Sequence, residues 1–281
     1  DLDGDEDMDL VSANSDSNNL TLHTQTAPGI FASTTAPLPT DSGCEAVAAA
    51  DLDGDGDMDL VSANRDSNNL TLYFQTAPGV FTQPAGSPLI TAFAPVYVAT
   101  GDLDGDGDID LVAANSGSNN LTLYLQTAPG IFTQPKGSPV ATDLAPVFVA
   151  AADLDGDGDT DLVSANSESE SLTLLFQDDI EPGLFVPAEP PLQVAGGPSS
   201  GAAADLDGDG DIDLVVANTE DGILTRFFQT GPGNFTQAAT PLPVGSGAVS
   251  VAAADLDGDG DLDLVSANST SNNLTILFNG K

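Results

Sequence analysis

The chain has 281 residues, with 44 acids against 4 bases and a formal net charge of −40, yet only 17% of it is charged and 40% is hydrophobic. That balance leaves enough apolar matter for a core and sets aside a disordered polyanion. Four bases cannot neutralise a phosphate backbone, an anionic membrane surface repels the chain, and no apolar run is long enough to cross a bilayer, so neither nucleic acid nor membrane insertion is expected. One Cys and one His rule out an internal disulfide framework, a multi-cysteine site and a zinc cluster. The chain opens on Asp1 rather than Met and reads as processed or cropped.

In chain order, the string DLDGDGDxDL or a near copy begins at Asp1, Asp51, Asp102, Asp153, Asp205 and Asp255. Each copy runs on through LVxAN, a polar turn such as Ser67-Asn68-Asn69, an LTL segment, a QTAPG turn and an apolar-Phe pair. A Pro-rich stretch and a small-residue run such as Val47-Ala48-Ala49-Ala50 lead into the next acidic loop. In the second copy, Leu60 to Ala63, Leu70 to Phe74, a segment opened by Val80-Phe81, and Val96 to Ala99 are predicted strands bounded by turn residues. Four short strands in about 50 residues predict a propeller blade, and the chain as a whole, 1–281, an all-β, six-repeat β-propeller in one domain. Labelled A to D outward, the small-residue strand is A, and the acidic loops join A to B. Phe81, Phe132, Phe185 and Phe235 are expected to fill wedges between blades. On this count the chain holds 22 strands: the first blade lacks A and the last lacks D. Either flanking sequence is missing or another subunit donates strands, which would build a filament if head-to-tail.

The acidic loops predict a metal. In 51–59, carboxylates fall at positions 1, 3, 5, 7 and 9, and five like charges in nine residues are costly unless a cation collects them. Hard oxygen donors select calcium over zinc or copper, with magnesium disfavoured by its strict octahedron. Positions 1, 3 and 5, a carbonyl at 7 and Gly at 6 follow the register of EF-hand loops. Position 12 is Ser62 rather than Glu, however, so the motif is no EF-hand, and Asp59 is the expected bidentate ligand. The candidate ligands are Asp1, Asp3, Asp5, Asp7 and Asp9; Asp51, Asp53, Asp55, Asp57 and Asp59; Asp102, Asp104, Asp106, Asp108 and Asp110; Asp153, Asp155, Asp157, Asp159 and Asp161; Asp205, Asp207, Asp209, Asp211 and Asp213; Asp255, Asp257, Asp259, Asp261 and Asp263. A solvated acidic turn is the bland alternative, and sixfold repetition weighs against it. About six structural calcium ions are expected. Glu6 takes the place of Gly in the first loop, and if that position needs positive φ, its site should be the weakest.

The DxDGDGxxD loop, the DLVxxN strand, the PG-x-F turn and the small-residue strand together resemble the FG-GAP or VCBS repeat family, known from the α-subunit propellers of integrins. The resemblance covers nearly the whole chain. It implies calcium loops between the first two strands of each blade, held by Asp side chains at 1, 3, 5 and 9 and the carbonyl at 7, and extracellular recognition, adhesion or scaffolding.

Smaller signals carry plainer expectations. His23 lies at an apolar strand position and reads as a packed or edge residue. Cys44, just before strand A, reads as an inert thiol. Six N-x-S/T sequons, at Asn19, Asn69, Asn120, Asn234, Asn268 and Asn273, are candidate glycosylation sites, although Asn-Asn also suits a hairpin turn. The stretch 33–40 is a candidate for O-glycans. The insert Asp178-Asp179-Ile180-Glu181 is a candidate contact loop or a tolerated surface insertion. With one His, one Cys and most acids committed to metal, the chain is expected to be non-catalytic. The expected role is an extracellular or cell-surface structural, adhesion or assembly module, and the subunit of a filament if strands are donated. Its partners would be other subunits or an extracellular ligand. The alternative is a carbohydrate-binding lectin, disfavoured by the absence of Trp.

Overall fold

The computed structural model describes every residue except Thr35, Asp179 and Lys281, and among the described residues it is all β, with no helix. The strands form six small antiparallel sheets, one per repeat, which are the blades of a six-bladed β-propeller. Blade 1 holds β1 (Leu10–Asn14), β2 (Asn19–Ala27), β3 (Ile30–Ser33) and β4 (Leu38–Pro39). Blade 2 holds β5 (Cys44–Ala50), β6 (Asp59–Asn64), β7 (Asn69–Ala77), β8 (Val80–Thr82) and β9 (Leu89–Ile90). Blade 3 holds β10 (Pro95–Gly101), β11 (Asp110–Asn115), β12 (Asn120–Ala128), β13 (Ile131–Thr133) and β14 (Val140–Ala141). Blade 4 holds β15 (Pro146–Ala152), β16 (Asp161–Asn166), β17 (Ser171–Gln177), β18 (Phe185–Pro187) and β19 (Leu192–Gln193). Blade 5 holds β20 (Pro198–Ala204), β21 (Asp213–Asn218), β22 (Ile223–Gly231), β23 (Asn234–Gln237) and β24 (Leu242–Pro243). Blade 6 holds β25 (Ala248–Ala254), β26 (Asp263–Asn268) and β27 (Asn273–Leu277).

The described strands number 27 rather than the expected 22, and the difference is the outermost strand. In blade 2 that strand splits into β8, paired with the C-terminal half of β7, and β9, paired with its first two residues. The break is chemical: Pro84 and Pro88 lie between the halves and cannot donate to a ladder. A side chain fills the gap, because the Leu72 N–H donates to Ser87 Oγ at 3.0 Å. Blade 3 repeats the device with Leu123 and Ser138.

The chain divides into two compact units, residues 1–140 and the remainder, each with its own packing. In the first, Leu20 and Leu22 of blade 1 pack with Cys44, Leu60 and Tyr73 of blade 2. Leu70 and Leu72 of blade 2 then pack with Leu111, Tyr124 and Phe132 of blade 3. In the second unit, Val215 and Leu224 of blade 5 meet Val251 and Leu264 of blade 6. In blade 2, one face of the middle strands therefore covers blade 1 and the other is covered by blade 3. The small-residue strands of successive blades also touch: β5 meets β10, and β20 meets both β15 and β25. A Cβ added at Gly201 would lie 3.2 Å from the Phe148 ring, which shows how tight that packing is.

The polar turn joining β6 to β7 needs a left-handed residue, and Asn68 supplies it at φ 56°, with Asn18, Asn119 and Asn272 alike. Asn68 Oδ1 also accepts the Ala94 N–H at 2.8 Å and so ties the hairpin to the next repeat. Two of the candidate glycosylation sites need correction. Asn69 and Asn268 are buried, and their amides are committed: Asn69 donates to Asp41 at 2.6 Å, and Asn268 to Thr275 Oγ1 at 2.9 Å. Neither can carry a glycan in this fold, whereas Asn234 and Asn273 are exposed.

Candidate metal centre

Each acidic loop is the hairpin between the first two strands of a blade or, in blade 1, leads into β1; in blade 2, Ala50 pairs with Asp59 and residues 51–58 make the turn. The loop is built by its own first carboxylate. Asp51 Oδ1 accepts the Gly54 N–H at 2.7 Å and Oδ2 accepts the Gly56 N–H at 3.0 Å, curling the backbone round one side chain. Asp55 Oδ1 in turn accepts the Asp57 N–H at 2.9 Å. Gly56 sits at φ 95°, and the same position has φ 93–99° in the four later loops. Glu6 occupies it at φ 71°, the left-handed conformation that disfavours a side chain.

The ninth residue comes from the strand. Asp59 is fully buried, and its two oxygens accept the N–H groups of Leu52 and Gln75, both at 2.8 Å. Ligand oxygens of Asp51, Asp53 and Asp59 lie within 4.8 Å of one another, as do those of Asp102, Asp104 and Asp110; Asp153, Asp155 and Asp161; and Asp205, Asp207 and Asp213. In the first loop the converging set is Asp1, Asp3 and Asp5. Positions 1, 3 and 9 thus meet in blades 2 to 5, while Asp55 and Asp57, with their counterparts, stand exposed outside those triplets.

Burial raises the Asp59 carboxyl to about 6, that of Asp110 to about 7 and that of Asp161 to about 6, against the opposing pull of their backbone N–H donors. Asp53, Asp104 and Asp155 are also raised, by burial first and by neighbouring carboxylates next. Such sites disfavour bare carboxylates and are relieved by a cation. The Oδ1 atoms of Asp3 and Asp53 are buried without a hydrogen-bond partner, so the first two loops present a free acceptor inside the triplet, while in the later loops the equivalent oxygen accepts a backbone N–H, as Asp104 Oδ1 does from Asp106 at 3.3 Å. An all-oxygen donor set with a spare buried acceptor fits a hard divalent cation. These repeated clusters can hold metal ions, and calcium is consistent with them.

Two features escaped the sequence reading. The first is the Gln of the QTAPG turn. Gln75 donates its N–H to Asp59, donates its side-chain amide to Met58 O at 3.5 Å and accepts the Gly79 N–H on Oε1 at 2.8 Å, so it clamps the acidic loop to the turn. Its recurrence as Gln25, Gln126, Gln177 and Gln229, with Asn279 last, was the available signal. The second is that the turn of one blade covers the loop of the preceding blade. Gly79 donates its N–H to Leu2 O at 3.1 Å, and a Cβ there would lie 3.5 Å from Asp3 Cβ. Gly130 stands in the same relation to Asp53, and Gly233 to Asp155.

Elsewhere, His23 Nδ1 lies 2.8 Å from Ser33 Oγ across a strand pair, and Cys44 is a free, buried thiol raised by burial. In the blade 4 insert, Asp178 Oδ1 accepts the N–H groups of Ile180 and Glu181 and leaves Ile180 exposed; Asp179 lies outside the described residues, as does Thr35 of the stretch 33–40.

The FG-GAP-like repeat model matches residues 1–62, 51–113, 102–164, 153–216 and 205–266, each match spanning two successive acidic loops. The chain belongs to this family. No curated protein matches this FG-GAP-like chain. Among solved structures, it is similar to BBS1N in complex with ARL6DN, at 14% identity and TM-score 0.60 over 96% of this chain and 72% of that one. It is also similar to virginiamycin B lyase from Staphylococcus aureus, at 13% identity and TM-score 0.60 over 96% and 80%. A putative 6-phosphogluconolactonase from Bacteroides uniformis matches at 15% identity and TM-score 0.62 over 95% and 80%. At these identities the likeness is one of fold. It nonetheless corrects the expectation of a non-catalytic chain: two of these propellers are named as enzymes, so the architecture does not set catalysis aside.

Proposed function

We propose that this FG-GAP-like propeller is a calcium-loaded module of the cell exterior that serves structure, adhesion or assembly. The observation that carries the reading is the recurring Asp triplet, which in the first two loops includes a buried, unpartnered Oδ1. Thirty Asp residues and Glu6, of the 44 acids, stand in these loops, and six divalent ions would cut the charge of −40 to about −28. The calcium then binds strand to strand within each blade and lets the carboxylates approach. A rigid array of near-identical blades suits a scaffold, and the similar propeller solved with a partner protein makes protein partners the natural class. The test is calorimetric titration of the chelated chain with calcium and, separately, magnesium. Calcium uptake near six per chain, far tighter than magnesium, is expected; no uptake, or equal weak binding of both, would sink the reading.

A further inference from the structure

Two residues of the second unit each hold two acidic loops at once. In blade 5 the Gln229 N–H donates to Asp213 Oδ1 at 2.9 Å, which ties it to its own loop, 205–213. Its side-chain amide, in the one orientation that gives the nitrogen acceptors, donates to Ile212 O at 3.0 Å and to Leu154 O at 2.9 Å. Leu154 belongs to the preceding loop, 153–161, where it stands between the candidate ligands Asp153 and Asp155 and donates its own N–H to Asp161 Oδ2 at 2.9 Å. Asn279 of blade 6 repeats the arrangement one step on. Its N–H donates to Asp263 Oδ1 at 2.8 Å, its side-chain amide donates to Leu206 O at 3.1 Å, and the Leu206 N–H donates to Asp213 Oδ2 at 3.0 Å.

A continuous line of bonded residues therefore runs from Asp161 through Leu154, Gln229, Asp213, Leu206 and Asn279 to Asp263. The three carboxylates on it are the ninth residues of their loops, at most 2% exposed, so these bonds lie away from bulk water. Asp213 gives one oxygen to each bridge. The first unit holds a shorter line of the same kind. Asp59 accepts the Gln75 N–H, and the Gly79 N–H is shared between Gln75 Oε1 at 2.8 Å and Leu2 O at 3.1 Å. The Leu2 N–H then donates to Asp9 Oδ2 at 2.6 Å.

We infer that the acidic loops within each unit bind their cations cooperatively, with Gln229 and Asn279 as the coupling residues of the second unit and Gln75 as that of the first. The inference rests on the metal reading above and deepens it. A cation that gathers Asp153, Asp155 and Asp161 fixes Leu154 among them, and the fixed Leu154 carbonyl holds the Gln229 amide. Gln229 in turn holds Asp213, so the next loop meets its cation with its buried ligand in place and less freedom left to lose. Charge works the other way, because each bound divalent ion weakens the pull of the remaining carboxylates on the next. At physiological salt that pull is screened over about 8 Å, whereas the buried bridges are not, so the bridges prevail. The coupling is reciprocal: each loop helps its neighbour by the same factor.

The test adds calcium to the chelated full chain at about 0.15 M salt and follows hydrogen exchange by mass spectrometry, reading 153–161, 205–213 and 255–263 separately. The unaltered chain is expected to protect all three loops over one steep calcium range. Asp207→Asn removes a candidate ligand of the middle loop, keeps Oδ1 for the Asp209 N–H and leaves both bridges intact. It should raise the calcium midpoints of 153–161 and 255–263 by about fivefold. Adding Gln229→Met, which keeps the backbone bond to Asp213 but leaves the Leu154 carbonyl without its donor, should abolish the transmitted rise at 153–161 and spare that at 255–263. Asn279→Ala should do the reverse, and it supplies the same comparison if circular dichroism shows the Met variant to be misfolded. A purely local role for these side chains would weaken a loop in either background and leave the transmission untouched. Midpoints at both outer loops that ignore Asp207→Asn, or a transmitted rise that survives the bridge variants, would overturn the coupling and leave the metal sites standing. Loops that gain no protection from calcium would overturn the metal reading and the coupling with it.

Discussion

Replacing Asp110 by Asn tests the metal centre most directly. Asp110 is fully buried in blade 3, and its oxygens accept the N–H groups of Leu103 and Gln126, both at 2.7 Å. Asn keeps the shape but only one acceptor oxygen, and its amide then faces a backbone N–H. The variant loses one charge-assisted hydrogen bond and strands a buried donor, which costs about 2–3 kcal/mol. In chelator the loss falls at the lower end, because the wild-type carboxyl, pushed to about 7, already carries an uncompensated buried charge. In calcium the variant also forfeits its site. With free calcium a hundredfold above Kd, the forfeited stabilisation is about 2.7 kcal/mol, for a total near 5 kcal/mol. Urea unfolding followed by circular dichroism, in excess calcium and in chelator, reads both numbers. An equal loss in the two solvents, with calcium stoichiometry unchanged, would refute the reasoning and leave Asp110 a purely structural acceptor.

Glu6→Gly should relieve a left-handed side chain at a cost of about 1 kcal/mol, tightening the weakest calcium step roughly fivefold; a titration in which that step does not move counts against it. The calcium-free fold should lose stability as pH rises from about 4 to about 7. Asp59, Asp110 and Asp161 have raised folded pKa values, so the native state binds more protons than the unfolded one across that window, and the slope of stability with pH is negative. Their penalty is absent below the unfolded pKa and complete above the folded values. Thermal melts in chelator should show this decline and melts in calcium should not; a chelated chain that melts higher at neutral pH than near pH 5 would refute it. Calcium binding near pH 6 should also release protons, visible as a dependence of the calorimetric heat on buffer. Gly130→Ala would place a Cβ 2.6 Å from the Phe74 ring in a left-handed backbone; a loss of about 2 kcal/mol and a weakened site at 51–59 are expected, with stability checked by urea unfolding and the site by titration.

The repeat, the strand order and the acidic loops were legible because each is local. Period-2 apolar runs, Asn in a left-handed turn and Asp at alternate loop positions declare themselves within nine or ten residues. The split outer strand was hidden because it turns on Ser87 Oγ standing in for a ladder acceptor to the Leu72 N–H, 15 residues away. The sequons at Asn69 and Asn268 looked available because a motif does not carry burial, which the neighbouring strands and Asp41 impose. The Gln clamp was visible as a repeated letter, but its role required knowing that Asp59 and Gly79 lie on either side of it.

Sequence alone determined the all-β class, the six blades and the place of the carboxylates, since hydrophobic period and turn chemistry act over a few residues. Only the tertiary structure decided which carboxylates converge, since Asp59 reaches Asp51 and Asp53 through strand pairing while Asp55 and Asp57 turn to solvent. It also decided that the Gly130 turn seals the loop of Asp53, a contact between residues 77 positions apart in the chain. Such contacts depend on how one blade packs on the next, and no local pattern encodes that distance.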